Sequence, residues 1–87
     1  MYCILVYDIG ERRVVKMLKH CRKYLNWIQN SVFEGELSES QMIRLKAGAK
    51  EIMNKKEDSV IIFTSSAQKW LNKEVIVIEK SNIDNFI

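Results

Sequence analysis

The stretch Tyr2 to Gly10 limits most strongly what this chain can fold into. Tyr-Cys-Ile-Leu-Val-Tyr-Asp is rich in β-formers and ends in an acid, and the glycine two positions on lets the backbone turn. On an extended strand, Tyr2, Ile4, Val6 and Asp8 point one way and Cys3, Leu5 and Tyr7 the other. Both faces are mostly apolar. Such a strand belongs inside a sheet, with helices over one face and other cover over the second. Asp8 falls where the strand leaves the core, at the edge of solvent, where a carboxylate stays ionised and can hold a cation.

A chain of 87 residues makes one small domain with a thin margin of stability. Its 47% hydrophobic and 29% charged residues describe a soluble globular protein and exclude a disordered one. A domain this small and this apolar gains core by dimerising. The net charge of +3 leans toward an anionic partner without separating nucleic acid from ordinary solubility. No secretory signal or membrane-length apolar run is present, which places the chain in the cytoplasm and away from membranes. Cys3 and Cys21 have neither zinc-ligand nor redox-motif spacing, so they read as reduced, packed thiols.

Glu11 to Leu25 reads as an amphipathic helix with Val14, Leu18, Cys21 and Leu25 as its apolar stripe. Arg12, Lys16, Lys19 and Lys23 form a row on the opposite side, flanked by Arg13, His20 and Arg22. Six of the 14 Lys and Arg residues lie between positions 12 and 23, and no acid interrupts them before Glu34. Trp27 to Leu37 is extended, with Gly35 marking either a bulge or a tight turn. Ser38-Glu39-Ser40-Gln41 is a capping box. It opens a second helix that runs to about Asn54 and buries Met42, Leu45, Ala49, Ile52 and Met53. Lys55 to Asp58 reads as a charged turn, Val60 to Thr64 as a central strand, and Glu74 to Glu79 as a last strand. The order β-α-β-(β)-α-β with an extra C-terminal strand predicts an α/β (α+β) sandwich of ferredoxin-like type, with both helices on one sheet face. The open face then calls for a second copy of the same surface. Residues 1–79 form the single domain, and the apolar ending at 80–87 reads as a docking tail.

Two roles fit Asp8. As a ligand it would hold Mg²⁺; as a helix N-cap it would pair with Glu11 in a capping box, and spacing alone favours the cap. One carboxylate is too little for a divalent ion, but two copies facing each other across a dimer axis make a usable pair. Waters and phosphate oxygens would complete the octahedron. The basic row reads equally as a solvated face or as a track for phosphates. Tyr7 and Phe33 fit core positions better than stacking platforms. Ser31 has no base placed beside it by the sequence, which excludes a Ser-His-Asp hydrolase.

Several segments together closely resemble the CRISPR-associated Cas-two family. They are Val6-Tyr7-Asp8-Ile9 with Arg12-Arg13, Cys21-Arg22-Lys23-Tyr24-Leu25, Gln29-Asn30-Ser31-Val32-Phe33-Glu34-Gly35, Asp58-Ser59-Val60-Ile61-Ile62 and Asp84-Asn85-Phe86-Ile87. The likeness runs along essentially the whole chain. It implies a homodimer of ferredoxin-like subunits whose last strand crosses to the partner, with Asp8 from each copy sharing a catalytic Mg²⁺. It implies a CRISPR adaptation protein that scaffolds the Cas-one integrase complex capturing new spacers. The family is also described as a metal-dependent endonuclease on single-stranded RNA or double-stranded DNA. Tyr7, Arg12, Arg13, Arg22, Ser31 and Phe33 match positions around the family's cleft, and Lys16, Lys19 and Lys23 extend the expected nucleic-acid surface. Two other classes stay open: a stand-alone RNase resembling VapD-type toxins, and a non-catalytic ferredoxin-like interaction module. An RNA-recognition domain of this layout would carry an aromatic signature that is absent here.

Overall fold

β1 (Tyr2–Asp8) is the strand on which the sheet is assembled. In the computed structural model, which describes residues 1–66, it pairs antiparallel on one side with β3 (Val32–Glu36) and on the other with β4 (Ser59–Ser65). β2 (Asn26–Gln29) extends the far side of β3, giving the order β2-β3-β1-β4. Helices α1 (Glu11–Arg22) and α2 (Glu39–Ile52) alternate with the strands as the ferredoxin-like order requires. The expected last strand at 74–79, its exchange and the tail at 80–87 lie outside the described residues.

Alternation along β1 decides which residues enter the core. Cys3, Leu5 and Tyr7 are buried together with Met17 and Cys21 of α1, Phe33 of β3, and Met42, Leu45 and Ala49 of α2. Val60 and Ile62 of β4 pack onto the same cluster. On the other face, Val32, Val6 and Ile61 form one cross-strand row and Ile4 lies beside Phe63 in the next. Phe63 stays 49% exposed. The core residues of both helices pack on the first face, and Ile4, Val6, Val32 and Ile61 on this second face are half-buried.

Several local features differ from the sequence reading. α1 ends at Arg22 rather than at Leu25, although Leu25 is buried with the stripe and its amide donates to the Cys21 carbonyl at 2.8 Å. The helix stripe also includes Met17, which is fully buried. The extended run from Trp27 splits at Asn30–Ser31 instead of at Gly35, and Asn30 takes a φ of 43°, a left-handed conformation that asparagine tolerates. Gly35 serves close packing: a Cβ there would lie 3.2 Å from Leu25 Cδ2. Among the described strands β4 ends the sheet and is not central: Val60 and Ile62 pack on the helix-side core, while Phe63 on the other face stays exposed. Ser38 and Gln41 make the expected capping box.

The two helices meet where His20 lies against Gly48. His20 Nε2 is 2.9 Å from the Leu45 carbonyl, so it donates its proton there, and the ring meets Tyr24 edge-on at 5.5 Å. A methyl group at Gly48 would overlap the imidazole. Alanine is the better helix former by about 1 kcal/mol. Overlap and loss of the His20 bond cost more, about 1–3 kcal/mol and about 1 kcal/mol. Gly48→Ala is therefore expected to lower the unfolding free energy in urea by about 1–3 kcal/mol. A rise in stability would mean that the ring swings aside without cost.

Candidate metal and nucleic-acid site

Asp8 ends β1 opposite Ser59 and is exposed. It does not cap α1. Gly10 is the N-cap, in extended conformation, and no side chain caps the helix. Among the described residues no hydrogen bond or ion pair holds the Asp8 carboxylate. The adjoining turn is close by, since the Tyr7 amide donates to the Ser31 carbonyl at 3.1 Å. Asp8, the half-buried Ser31 and Ser59 thus share one end of the sheet. No group of three or more potential metal-ligating side chains occurs among the described residues. What one chain offers a cation is a single hard oxygen donor set, free and facing out, which suits half of a Mg²⁺ site.

The acid that the sequence reading left in a charged turn proves to be the buried one. Asp58 is 7% exposed and gathers donors from three segments. Its Oδ1 accepts from the Gly10 amide at 2.8 Å, and its Oδ2 accepts from the Asn54 amide at 2.8 Å. Arg13 closes the set, with Nε at 2.6 Å from Oδ2 and Nη2 at 3.0 Å from Oδ1. This two-pronged contact is the geometry for which guanidinium is suited. Arg13 also reaches Glu57 at 3.1 Å. Expected on the phosphate-facing surface, Arg13 is instead committed to this carboxylate, because a buried charge needs a paired cation. No local spacing pairs residues 45 apart in sequence, so the sequence carried no signal for it.

The remaining expected residues fall into two groups. Arg12, Lys16, Lys19, Arg22 and Lys23 are all exposed on α1 and its C-cap, and among the described residues no acid forms an ion pair with them. Tyr7 and Phe33 lie in the core with ring centroids 5.6 Å apart, and burial pushes the Tyr7 phenol up. Burial likewise lifts the thiols of Cys3 and Cys21, to about 11 and about 12, which keeps both protonated and unreactive.

This arrangement, an unengaged strand-end carboxylate beside a helix with an exposed cationic row on a split β-α-β sheet, can be set beside known proteins. The family model described as CRISPR associated protein Cas2 matches residues 1–73. The chain belongs to the Cas2 family. It is 48% identical over 87 residues to the CRISPR-associated endoribonuclease Cas2 of Thermotoga maritima, covering 100% of this chain and 99% of that one. Against the protein of the same name from Dictyoglomus turgidum the identity is 42%, with 100% of both chains covered. A Cas2 crystal structure superposes with a TM-score of 0.78 at 42% identity, over 88% of this chain and 84% of the other. Streptococcus pyogenes Cas2 shares the fold, with a TM-score of 0.77 at 23% identity over 87% of this chain and 99% of its own. No helix among the described residues is long and apolar enough to cross a membrane.

Within this Cas2-family chain, Asp58 has a measurable signature. Arg13, then the Asn54 and Gly10 amides, hold its carboxyl well below the ordinary value of 3.8. A lowered carboxylate pKa contributes stability above the ordinary value, and that contribution drains away as pH falls toward the folded value. Asp58→Ala is expected to cost about 3 kcal/mol, toward the low end for a buried pair because Arg13 is partly exposed. Denaturant titrations from about pH 7 down to about pH 3 should show the parent losing stability more steeply than Asp58→Asn. Parallel acid limbs for the two proteins would refute this account.

Proposed function

We propose that this chain is the nucleic-acid-binding subunit of a CRISPR adaptation complex, and that it acts as a homodimer with Mg²⁺-dependent endonuclease activity. RNA is the expected cleavage substrate, in keeping with the names of its relatives. Duplex DNA along α1 and the Cas-one integrase are the expected partners of the scaffold role. The observation that carries the reading is the exposed, unengaged Asp8 on the same sheet face as Ile4, Val6, Ile61 and Phe63. An apolar face of this kind favours a covering partner. A second copy packed there about a two-fold axis would bury the face and bring two strand-end carboxylates toward each other.

In that dimer each Asp8 would contribute oxygen donors to one Mg²⁺, with waters and phosphate oxygens filling the other positions. The ion, when bound, supplies activation of water and neutralisation of charge on the phosphodiester. The protein's own part is electrostatic and geometric. Arg12, Lys16, Lys19 and Lys23 repeat along one side of α1, where they can follow successive phosphates and displace counterions. Arg13, held by Asp58, contributes to shape instead of to the track.

Two experiments test this. Asp8→Ala should reduce cleavage of single-stranded RNA to background, as chelation of Mg²⁺ should in the parent, while sedimentation still shows a dimer and duplex binding persists. Cleavage that survives both treatments would remove the metal role. In the second, Lys16→Glu with Lys19→Glu should weaken duplex binding at least about tenfold and flatten the slope of log affinity against log salt by about 2. An unchanged slope would make α1 a merely solvated face.

A further inference from the structure

Trp27 is an exposed aromatic side chain that the site described above does not use. It lies on β2 opposite Phe33, but where Phe33 is buried Trp27 is 48% exposed. Its orientation is fixed at two points. The indole Nε1 donates to the Asn30 carbonyl at 2.8 Å, and the Arg22 guanidinium sits over the ring, 5.7 Å from its centroid. Asn30 can present that carbonyl because it adopts the left-handed conformation of the β2–β3 turn. The ring is therefore pinned and its polar atom satisfied, which leaves open π-surface as its remaining capacity.

The surroundings decide what could lie on it. Arg22 belongs to the C-terminal turn of α1, with Lys19 one helical turn before it and Lys23 next to it, all exposed. The platform therefore stands at the end of the cationic row, flanked by Arg and Lys. Phosphate-tracking cations beside a rigid, half-open aromatic form the combination by which proteins hold single strands. The backbone runs along the charges, and a base stacks on the ring without regard to its identity. A duplex keeps its bases stacked internally and has none to offer except at its ends. Resting on the proposed nucleic-acid function of α1, we infer that Trp27, backed by Arg22, is a stacking platform for an unpaired nucleobase of a single strand that follows the Lys19–Lys23 end of the row.

Fluorescence reads this directly. The sequence holds two tryptophans, so a Trp70→Phe background leaves Trp27 as the one indole. Titration in metal-free buffer with an oligouridylate of about 12 nucleotides should quench its emission to saturation, and a duplex of equal length should quench it little. In the otherwise unaltered chain, Trp27→Ala should weaken oligouridylate binding about tenfold and Trp27→Phe by less, with duplex affinity within about twofold of the parent. These affinities also serve as the test if Trp70→Phe does not fold. Salt-sensitive oligouridylate binding without quenching, and with Trp27→Ala unaffected, would overturn the platform while leaving the α1 track in place. Equal losses on both ligands would make Trp27 structural and overturn it as well. Failure of the unaltered chain to bind either ligand would instead overturn the nucleic-acid reading on which the platform rests.

Discussion

One buried carboxylate holds the Asp8 end of the sheet together. Asp58 lies where α2 hands the chain to β4, and its donors come from the β1–α1 corner, from the end of α2 and from within α1. These corners are distant in sequence, and their backbone amides would otherwise be among the unpaired groups that helix starts and tight turns leave behind. A carboxylate with 0% side-chain exposure is costly without partners. Here the two amides and the bidentate Arg13 contact supply them. The Asn54 loop is itself tightly wound, with the Asp58 amide returning to the Asn54 carbonyl at 2.8 Å and Lys56 donating to the Asn54 side chain at 2.9 Å. The carboxylate therefore joins two stiff corners.

For Asp8 the consequence is geometric. It sits two residues before Gly10 and pairs across the sheet with Ser59, the residue after Asp58. The clamp thus fixes the backbone on both sides of the exposed acid without touching its side chain. For α1 the consequence is electrostatic. Arg13 is neutralised inside the fold, and the cations that remain free lie together along the helix, away from the acids of the 57–58 corner. Lys19, His20 and Arg22 also fall in the last turn, where the helix dipole favours positive charge. That offsets some of the repulsion along the row.

Much of this fold was legible because it depends on short-range pattern. The alternation in Tyr2–Asp8 identified the strand and its two faces, and Ser38 with Gln41 identified the start of α2. Places where the reading departed from the structure are places where tertiary packing overrides local preference. Leu25 continues the helical stripe in sequence and is buried with it, although the helix itself ends at Arg22. Gly35 looked like a break and is a point of close approach, while the true break lies at Asn30. At the candidate site, Asp8 and the row on α1 could be found because each is local. Asp58 could not, since its four contacts with residues 10, 13 and 54 depend on how two distant corners fold together. Trp27 was passed over for a related reason. A tryptophan in a strand reads as core until the structure shows it on the outermost of the described strands.

The two faces of the sheet carry different kinds of information. The helix face is closed, with Phe33, Leu5 and Met17 wholly buried, and its energetics belong to the single chain. The other face joins apolar Val32, Val6 and Ile61 to the uncommitted Asp8 at its end. If a second copy covers that face, burying its apolar rows and completing the oxygen set for a cation become one event. Stability would then depend on protomer concentration, as it does whenever association contributes to the folded state. Metal binding would inherit the same dependence, because neither half-site has enough ligands alone. The clamp at Asp58 would enter here too: by fixing the corner behind Asp8 within the single chain, it would lower the ordering that such an association requires. An acid held in this way, free of any internal partner yet rigid in its backbone, is suited to a site completed from outside the chain.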